Sequence, residues 1–242
     1  MKDCRKKIIT FDSKDIADIP CVGLGTYGVN INDLLALLVE YPFKNLLLDT
    51  ASKYANEDVV GEVIKRLLIK RENMFLVSKI SYEQQEHNDV KRALSETLVN
   101  LQVDNIDLYL IHSPRHQKRV DTWKQMIQMR EMGLVKSIGV SNFTISQIDE
   151  LYINSGVFPS VNQVVFNIIP ETEANELIEY CRKNNIILQD AQPFGGKSNA
   201  YHYEYCYDRL KKNFEKNIIS IIGTTNKEHL YEDFYPFLEK DV

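Results

Sequence analysis

The sequence predicts a compact (β/α)8 barrel of the TIM type, and three observations predict it. Short apolar runs and amphipathic helical stretches alternate eight times along the 242 residues. The apolar runs are continuous rather than alternating with polar residues, as expected of parallel strands buried on both faces. No stretch rich in Pro, Gly or Ser divides them, so residues 1–242 read as one domain. Eight such units in roughly 250 residues is the pattern of a closed barrel. A doubly wound open sheet alternates in the same way and is the competing architecture.

The elements follow in order. Residues 1–20 read as an N-terminal extension with a hairpin around Asp12-Ser13-Lys14. Cys21 to Gly25 is the first strand, and Asn32 to Val39 a short helix with Asn32 as its N-cap. Leu46 to Asp49 is a strand, and a polar connector carries Lys53 and Tyr54. Val59, Val60, Val63, Ile64 and Leu67 then recur at helical steps. Met74 to Lys79 is a strand, and Asp89 to Leu101 a helix. Ile106 to Ile111 is a strand ending at His112-Ser113-Pro114, and Val120 to Met132 a helix stopped by Gly133. Ser137 to Val140 is a strand ending at Ser141-Asn142, and a helix from Ser146 to about Ile153 stops at Gly156. Val161 to Val165 is a strand, and Glu173 to Lys183 a helix. Ile186 to Gln189 is a strand running into Asp190-Ala191-Gln192-Pro193-Phe194-Gly195. A tyrosine-rich stretch and a helix near Asp208 to Lys216 precede the last strand, Ile218 to Ile222, which ends at Gly223-Thr224-Thr225. A final helix covers about Lys227 to Phe234.

Composition narrows the function classes. Hydrophobic residues make up 44% and charged residues 26%, as in an ordinary globular protein. The net charge of −5 argues against nonspecific nucleic-acid binding. Cys4, Cys21, Cys181 and Cys206 show no CxxC spacing, which disfavours a zinc knuckle or redox pair and suggests a reducing cytosol. No apolar run approaches the ~20 residues of a membrane span, and the N-terminus leads into no apolar signal region. The expectation is a cytoplasmic protein acting on a small molecule, without a nucleic-acid or membrane partner. The oligomeric state stays open, with a monomer preferred.

Gly23-Leu24-Gly25-Thr26-Tyr27-Gly28 matches the GxGxxG dinucleotide fingerprint, and Asp49 stands where that fold places its ribose acid. The fingerprint needs a helix beginning inside the glycines, whereas Val29-Asn30-Ile31 intervenes here. Turn glycines at the end of a first barrel strand are the preferred reading.

In a barrel, chemistry gathers at the C-terminal ends of the strands. Those ends carry Tyr27, Asp49 with Tyr54 beyond it, Lys79, His112, Ser141 and Asn142, Gln163, Gln192 and Phe194, and Thr224 and Thr225. A phenol with a pKa of ~10 becomes a better acid beside an ammonium. Lys79 can supply that charge, Asp49 can hold Lys79, and His112 can donate to a carbonyl oxygen. No side chain offers a nucleophile or hydride donor, which implies a cofactor. Singly, each of these residues also has a plain structural reading, such as a buried Asp49–Lys79 pair. Their joint placement favours a carbonyl-polarising site. His112 and His116 have metal-ligand spacing, but Pro114 between them disfavours a helix there, and no metal is expected.

With these residues in view, the chain resembles the aldo-keto reductase family over nearly its whole length. DTASKYANEDVVG resembles the family signature DTAxxYxNExxVG, LVSKI its lysine strand and DLYLIHSP its histidine strand. GLVKSIGVSNF and VNQVVFN resemble its two nicotinamide-amide motifs. The resemblance implies an NAD(P)H-dependent reductase of aldehydes or ketones. Asp49, Tyr54, Lys79 and His112 would form its tetrad, with Tyr54 as proton donor and Tyr27 and His112 facing the substrate. Ser141, Asn142 and Gln163 would hold the nicotinamide carboxamide, with Gln192, Phe194, Thr224, Thr225, His229 and Asp233 further along the cofactor.

The chain departs from the family in places. Ala191 stands where a tyrosine usually stacks on the nicotinamide, leaving Phe194 as an aromatic substitute. Gly223 and His229 replace the lysine and arginine that read the 2′-phosphate, so the implied NADPH is joined by NADH. Asp233 replaces an asparagine near the adenine. A stretch before the last strand is shortened, and Tyr201, His202, Tyr203, Tyr205 and Tyr207 there read equally as a small lid or a packed loop. The family's long C-terminal loop is missing, which predicts an open pocket. Two other functions fit the same residues. One is a catalytically weak barrel that senses a nucleotide; the other is a lyase or isomerase using Lys79 as a Schiff base.

Overall fold

A computed structural model describes residues 8–9, 19–41, 45–195, 203–226 and 229. Strands β1 (Ile8–Ile9) and β2 (Ile19–Pro20) pair antiparallel, forming the two arms of the expected N-terminal hairpin. Its turn at Asp12-Ser13-Lys14 lies outside the described residues.

Strands β3 (Val22–Gly25), β4 (Leu46–Asp49), β5 (Met74–Ile80) and β6 (Ile106–Ile111) run parallel in chain order. They continue through β7 (Val135–Ser141), β8 (Val161–Val164), β9 (Ile187–Ala191) and β10 (Ile219–Ile222). Strand β10 pairs back onto β3, with Ile221 opposite Gly23, so the barrel closes and the open sheet is excluded. Closure leaves no barrel strand at an edge. Every residue of β4, β5 and β6 is buried, which is why these strands show no alternation.

The helices are α1 (Ile31–Val39), α2 (Glu57–Arg66), α3 (Tyr82–Glu86), α4 (Val90–Leu101), α5 (Arg119–Glu131), α6 (Ile145–Ser155), α7 (Glu171–Lys183) and α8 (Tyr203–Glu215). Their apolar faces pack onto the barrel wall, with Leu34, Val63, Leu94, Trp123, Leu151 and Leu210 all buried. Helices α2 and α4 approach closely at Gly61, where a Cβ would stand 2.5 Å from the Asn100 carbonyl oxygen. No helix among the described residues is long and apolar enough to cross a membrane.

Three details differ from the sequence reading. Helix α1 is capped by Asn30, not Asn32: the Asn30 side chain accepts from the backbone of Asn32 and Asp33. Periodicity alone does not separate two asparagines two residues apart. The short helix α3 goes unpredicted because it shows no apolar period, and a Ser81 capping box holds it. Helix α8 begins at Tyr203 rather than near Asp208. As the preferred reading of the glycine run expects, Gly23 and Gly25 lie inside β3, and α1 begins only at Ile31. The GxGxxG run is therefore strand and turn, and Gly23 is required by packing, since its Cβ would lie 2.2 Å from Leu47 Cδ2. The final helix predicted at 227–234 lies outside the described residues, apart from His229.

Candidate active site

Strand β4 delivers Asp49 to the barrel mouth, where it is buried. The chain then turns through a short 3-10 segment, Ser52–Tyr54, and Ala55 adopts a left-handed φ of 52°. Several contacts hold this turn. Thr50 N donates to Val77 O at 2.9 Å. Asn56 Nδ2 donates to Thr26 O at 2.7 Å, and Ser52 Oγ to Gln84 Oε1 at 2.7 Å. Buried Glu57 accepts from Ser78 Oγ at 2.5 Å and Thr97 Oγ1 at 3.3 Å, locking the start of α2 onto β5 and α4. Burial raises the Glu57 carboxyl above its ordinary value despite these bonds. The turn that carries Tyr54 is thus fixed from both sides.

Lys79 on β5 is wholly buried and uses its ammonium on three acceptors. It donates to Asp49 Oδ1 at 2.5 Å, Thr50 O at 2.9 Å and the Tyr54 hydroxyl at 3.3 Å. Burial works against its charge, but Asp49 and Tyr54 outweigh burial and raise Lys79 above its ordinary value. Tyr54 also sits above the ordinary phenol value, because burial outweighs the lowering effect of Lys79. The ammonium acts on Tyr54 in the expected direction, and burial is the larger effect. Strand β6 places His112 beside Tyr54, with ring centroids 5.6 Å apart and the rings edge to face. Burial, together with Lys79 and Lys53, pushes His112 down to about 3, so its imidazole is neutral. Its Nδ1 is buried with no partner among the described residues. Tyr27 packs edge-on to Tyr54 from the other side at 5.1 Å and is 63% exposed.

On the opposite wall, Gln163 of β8 reaches across the barrel and donates to Asp49 Oδ2 at 2.7 Å. Asn142 occupies a left-handed turn, φ 59°, at the end of β7. Its Oδ1 accepts from Val165 N at 3.1 Å, and its Nδ2 donates to Ser141 Oγ at 3.2 Å. Asn162 Nδ2 donates to Phe143 O at 2.9 Å, tying this turn to β8.

A cavity of about 530 Å³ opens over these residues, within the size range of small-molecule sites. Tyr27, Asp49, Tyr54 and Gln163 line one end, while Gln192, Phe194, Thr224, Thr225 and His229 continue its wall. Ser141, Asn142, His112 and Lys79 are not among its lining residues, although Lys79 reaches it through Asp49 and Tyr54. Asp233 lies outside the described residues. Tyr205, 52% exposed, lines the cavity from the start of α8, so that part of the tyrosine-rich stretch is helix rather than loop. Tyr201 and His202 lie outside the described residues.

Two residues of this region carry no motif and go unnoticed in the sequence. Gln189 of β9 is fully buried and accepts from Gln163 Nε2 at 2.9 Å. Asp190, next along β9, is buried and accepts from Arg209 at 2.8 Å and Asn213 at 2.8 Å, which anchors α8. Burial still raises the Asp190 carboxyl. A polar residue inside an apolar strand was the available signal for both. No His, Cys, Asp or Glu cluster fit for a metal exists among the described residues.

The sequence profile of the aldo/keto reductase family matches residues 28–232. The chain is similar to the Arabidopsis thaliana protein named aldo-keto reductase family 4 member C11. The two are 36% identical over 208 residues, covering 76% of this chain and 64% of that one. It is also 36% identical over 178 residues to the glyoxal reductase of Bacillus subtilis, covering 73% and 64%. The match thus spans a little under two thirds of either relative. The crystal structure of a Bombyx mori aldo-keto reductase in complex with NADP superposes with a TM-score of 0.80 at 27% identity, covering 95% and 87% of the two chains.

Proposed function

The chain belongs to the aldo/keto reductase family, and from that premise we propose that it reduces an aldehyde or ketone to an alcohol with a nicotinamide nucleotide. One observation carries the reading: Tyr54 lines the cavity while its hydroxyl receives the Lys79 ammonium at 3.3 Å. A neutral phenol beside a buried cation is built to lose a proton when a base develops next to it. When bound, the reduced nicotinamide supplies a hydride to the carbonyl carbon.

The chain's own residues do the rest. Tyr54 gives its proton to the carbonyl oxygen, and Lys79 stabilises the phenolate left behind. Asp49 keeps Lys79 charged and in place. Neutral His112 donates an N–H to the same oxygen and fixes its direction. Tyr27 walls the substrate. Gln163, Ser141 and Asn142 hold the nicotinamide carboxamide. Gln192, Phe194, Thr224, Thr225, His229 and Asp233 hold the remainder of the nucleotide.

The residues present fit such a group. The cavity joins the Tyr54 end to a hydroxyl- and histidine-lined end, and no Lys or Arg lines it among the described residues. Charged donors are what favour a 2′-phosphate. NADPH is the cofactor proposed from the family premise, and the lack of lining Lys or Arg admits NADH beside it. A Bacillus subtilis relative named for glyoxal supports a small carbonyl compound as substrate. The protein is proposed to act in the cytoplasm as a monomer, and residues 1–242 to form one domain.

Quenching of tyrosine and tryptophan fluorescence by NADPH and NADH tests the reading. At least one is expected to bind with a dissociation constant below millimolar. If neither does, the reductase reading fails. A borohydride-trapped adduct on Lys79 with a carbonyl compound would instead establish Schiff-base chemistry.

A further inference from the structure

A line of hydrogen-bonded side chains crosses the barrel mouth. Lys79 donates to Asp49 Oδ1, and Asp49 Oδ2 accepts from Gln163 Nε2 at 2.7 Å. Gln163 Nε2 gives its second proton to Gln189 Oε1 at 2.9 Å. Gln163 and Gln189 stand opposite one another in the β8–β9 register, and both are buried. Chemistry fixes how both amides are turned. A carboxylate only accepts, so Gln163 must present nitrogen to Asp49. That nitrogen only donates, so Gln189 must present oxygen to Gln163. Both N–H groups of Gln163 are then engaged, and its carbonyl oxygen is the polar atom left to the cavity it lines.

Gln189 differs from Gln163 in two respects. It does not line the cavity, and its own Nε2 is buried with no acceptor among the described residues. A buried donor without an acceptor destabilises a fold, and an apolar side chain of the same length would remove that donor while leaving the second Gln163 N–H without its acceptor. The residue's service lies in its oxygen, not in its packing.

We propose that Gln189 is a positioning residue that holds Gln163 with its carbonyl oxygen toward the cavity, selecting the N–H end of a bound primary carboxamide. A carboxamide has a donor end and an acceptor end. An acceptor-only Gln163 accepts one of them, which sets the face that the attached ring turns to Tyr54. Because the same Gln163 nitrogen holds Asp49, the ring's orientation and the Asp49–Lys79 pair are set by one side chain. Without Gln189 the Gln163 amide is held at one point instead of two. This rests on the nicotinamide reading above.

The test compares the wild type with Gln189→Met, which keeps length and removes both the acceptor and the unpaired donor. Gln189→Leu serves as a second variant with the same expectations. In the cofactor-free protein, the side-chain amide signals of Gln163, assigned by their loss in Gln163→Met, shift in Gln189→Met. One unpaired buried donor is exchanged for another, so the thermal midpoint changes little. NADPH affinity by fluorescence falls about tenfold, which is about 1.4 kcal/mol. Turnover falls through kcat while KM for the carbonyl substrate stays. In a Gln163→Met background the Gln189 change does nothing further. Unmoved amide signals, unchanged NADPH affinity, or an equal loss in the Gln163→Met background would overturn the proposal. If the wild type itself binds neither nucleotide, the functional reading falls first and the carboxamide assignment with it, a result visible before any variant is made.

Discussion

The Lys79 ammonium lies 3.3 Å from the Tyr54 hydroxyl, yet the phenol sits above its ordinary value because burial outweighs the cation. An acid whose pKa is raised keeps its proton to higher pH. Tyr54 is therefore protonated throughout the neutral range and ionises only above about pH 10. Carbonyl reduction should hold steady up to the phenol range and fall above it. An ultraviolet titration of the wild type minus Tyr54→Phe should show one tyrosinate appearing above that pH. A tyrosinate forming near pH 8 would show that Lys79 wins over burial.

Lys79 and Asp49 are both buried, and each is the other's principal counter-charge. Lys79→Met leaves the Asp49 carboxylate without its cation, which is expected to lower stability by about 3–5 kcal/mol. Removing both charges, as in Lys79→Met with Asp49→Leu, should recover much of that loss while leaving turnover abolished. Urea denaturation checks the first statement and the double variant the second. A single variant as stable as the wild type would contradict a mutually dependent buried pair.

His112 is held neutral, with its value pushed from 6.5 down to about 3. The unfolded chain accepts a proton near 6.5 and the folded chain refuses it until about 3. The contribution of His112 to stability is thus present above pH 6.5 and is lost as pH falls toward 3. His112→Gln should lose less stability than the wild type between pH 7 and about pH 4.5. Parallel denaturation curves at the two pH values for both proteins measure the difference. Equal acid losses would contradict a neutral buried imidazole.

How much of this was legible in the sequence depends on the range of the interaction. The barrel strands are mostly apolar runs, so Asp49 at the end of β4 and His112 just past β6 stand out directly as polar residues closing such runs. The meeting of Asp49 with Lys79 followed from adjacent strand ends. The reach of Gln163 to Asp49, 114 residues away, did not, because only barrel closure brings β8 opposite β4. Gln189 and Asp190 looked like ordinary polar interruptions until the β8–β9 register and α8 were in place. The sign of the Tyr54 shift was also hidden, since it depends on how completely water is excluded. The choice of Asn30 over Asn32 as cap depends on backbone dihedrals that no period reveals.

Arg209 of α8 donates to Asp190 Oδ2 through Nε at 3.2 Å and a terminal nitrogen at 2.8 Å. Helix α8 carries Tyr205 and Cys206 into the cavity wall, so this pair sets the wall's position. Arg209→Leu leaves Asp190 buried without its cation and should cost about 3 kcal/mol. Nucleotide affinity should weaken at the same time. A variant with weakened folding and unaltered nucleotide affinity would separate α8 from the cofactor site.

The central claim, that Tyr54 is the acid of a nicotinamide-dependent carbonyl reduction, is tested most directly by Tyr54→Phe. Phenylalanine keeps the ring that packs between Tyr27 and His112 and removes only the hydroxyl that faces Lys79. NADPH consumption with a small aldehyde should fall by about 10²–10⁴-fold. NADPH affinity by fluorescence should stay within about twofold of the wild type, because a ring contact survives the change. Turnover by Tyr54→Phe at close to the wild-type rate, with the nucleotide still bound, would contradict the account.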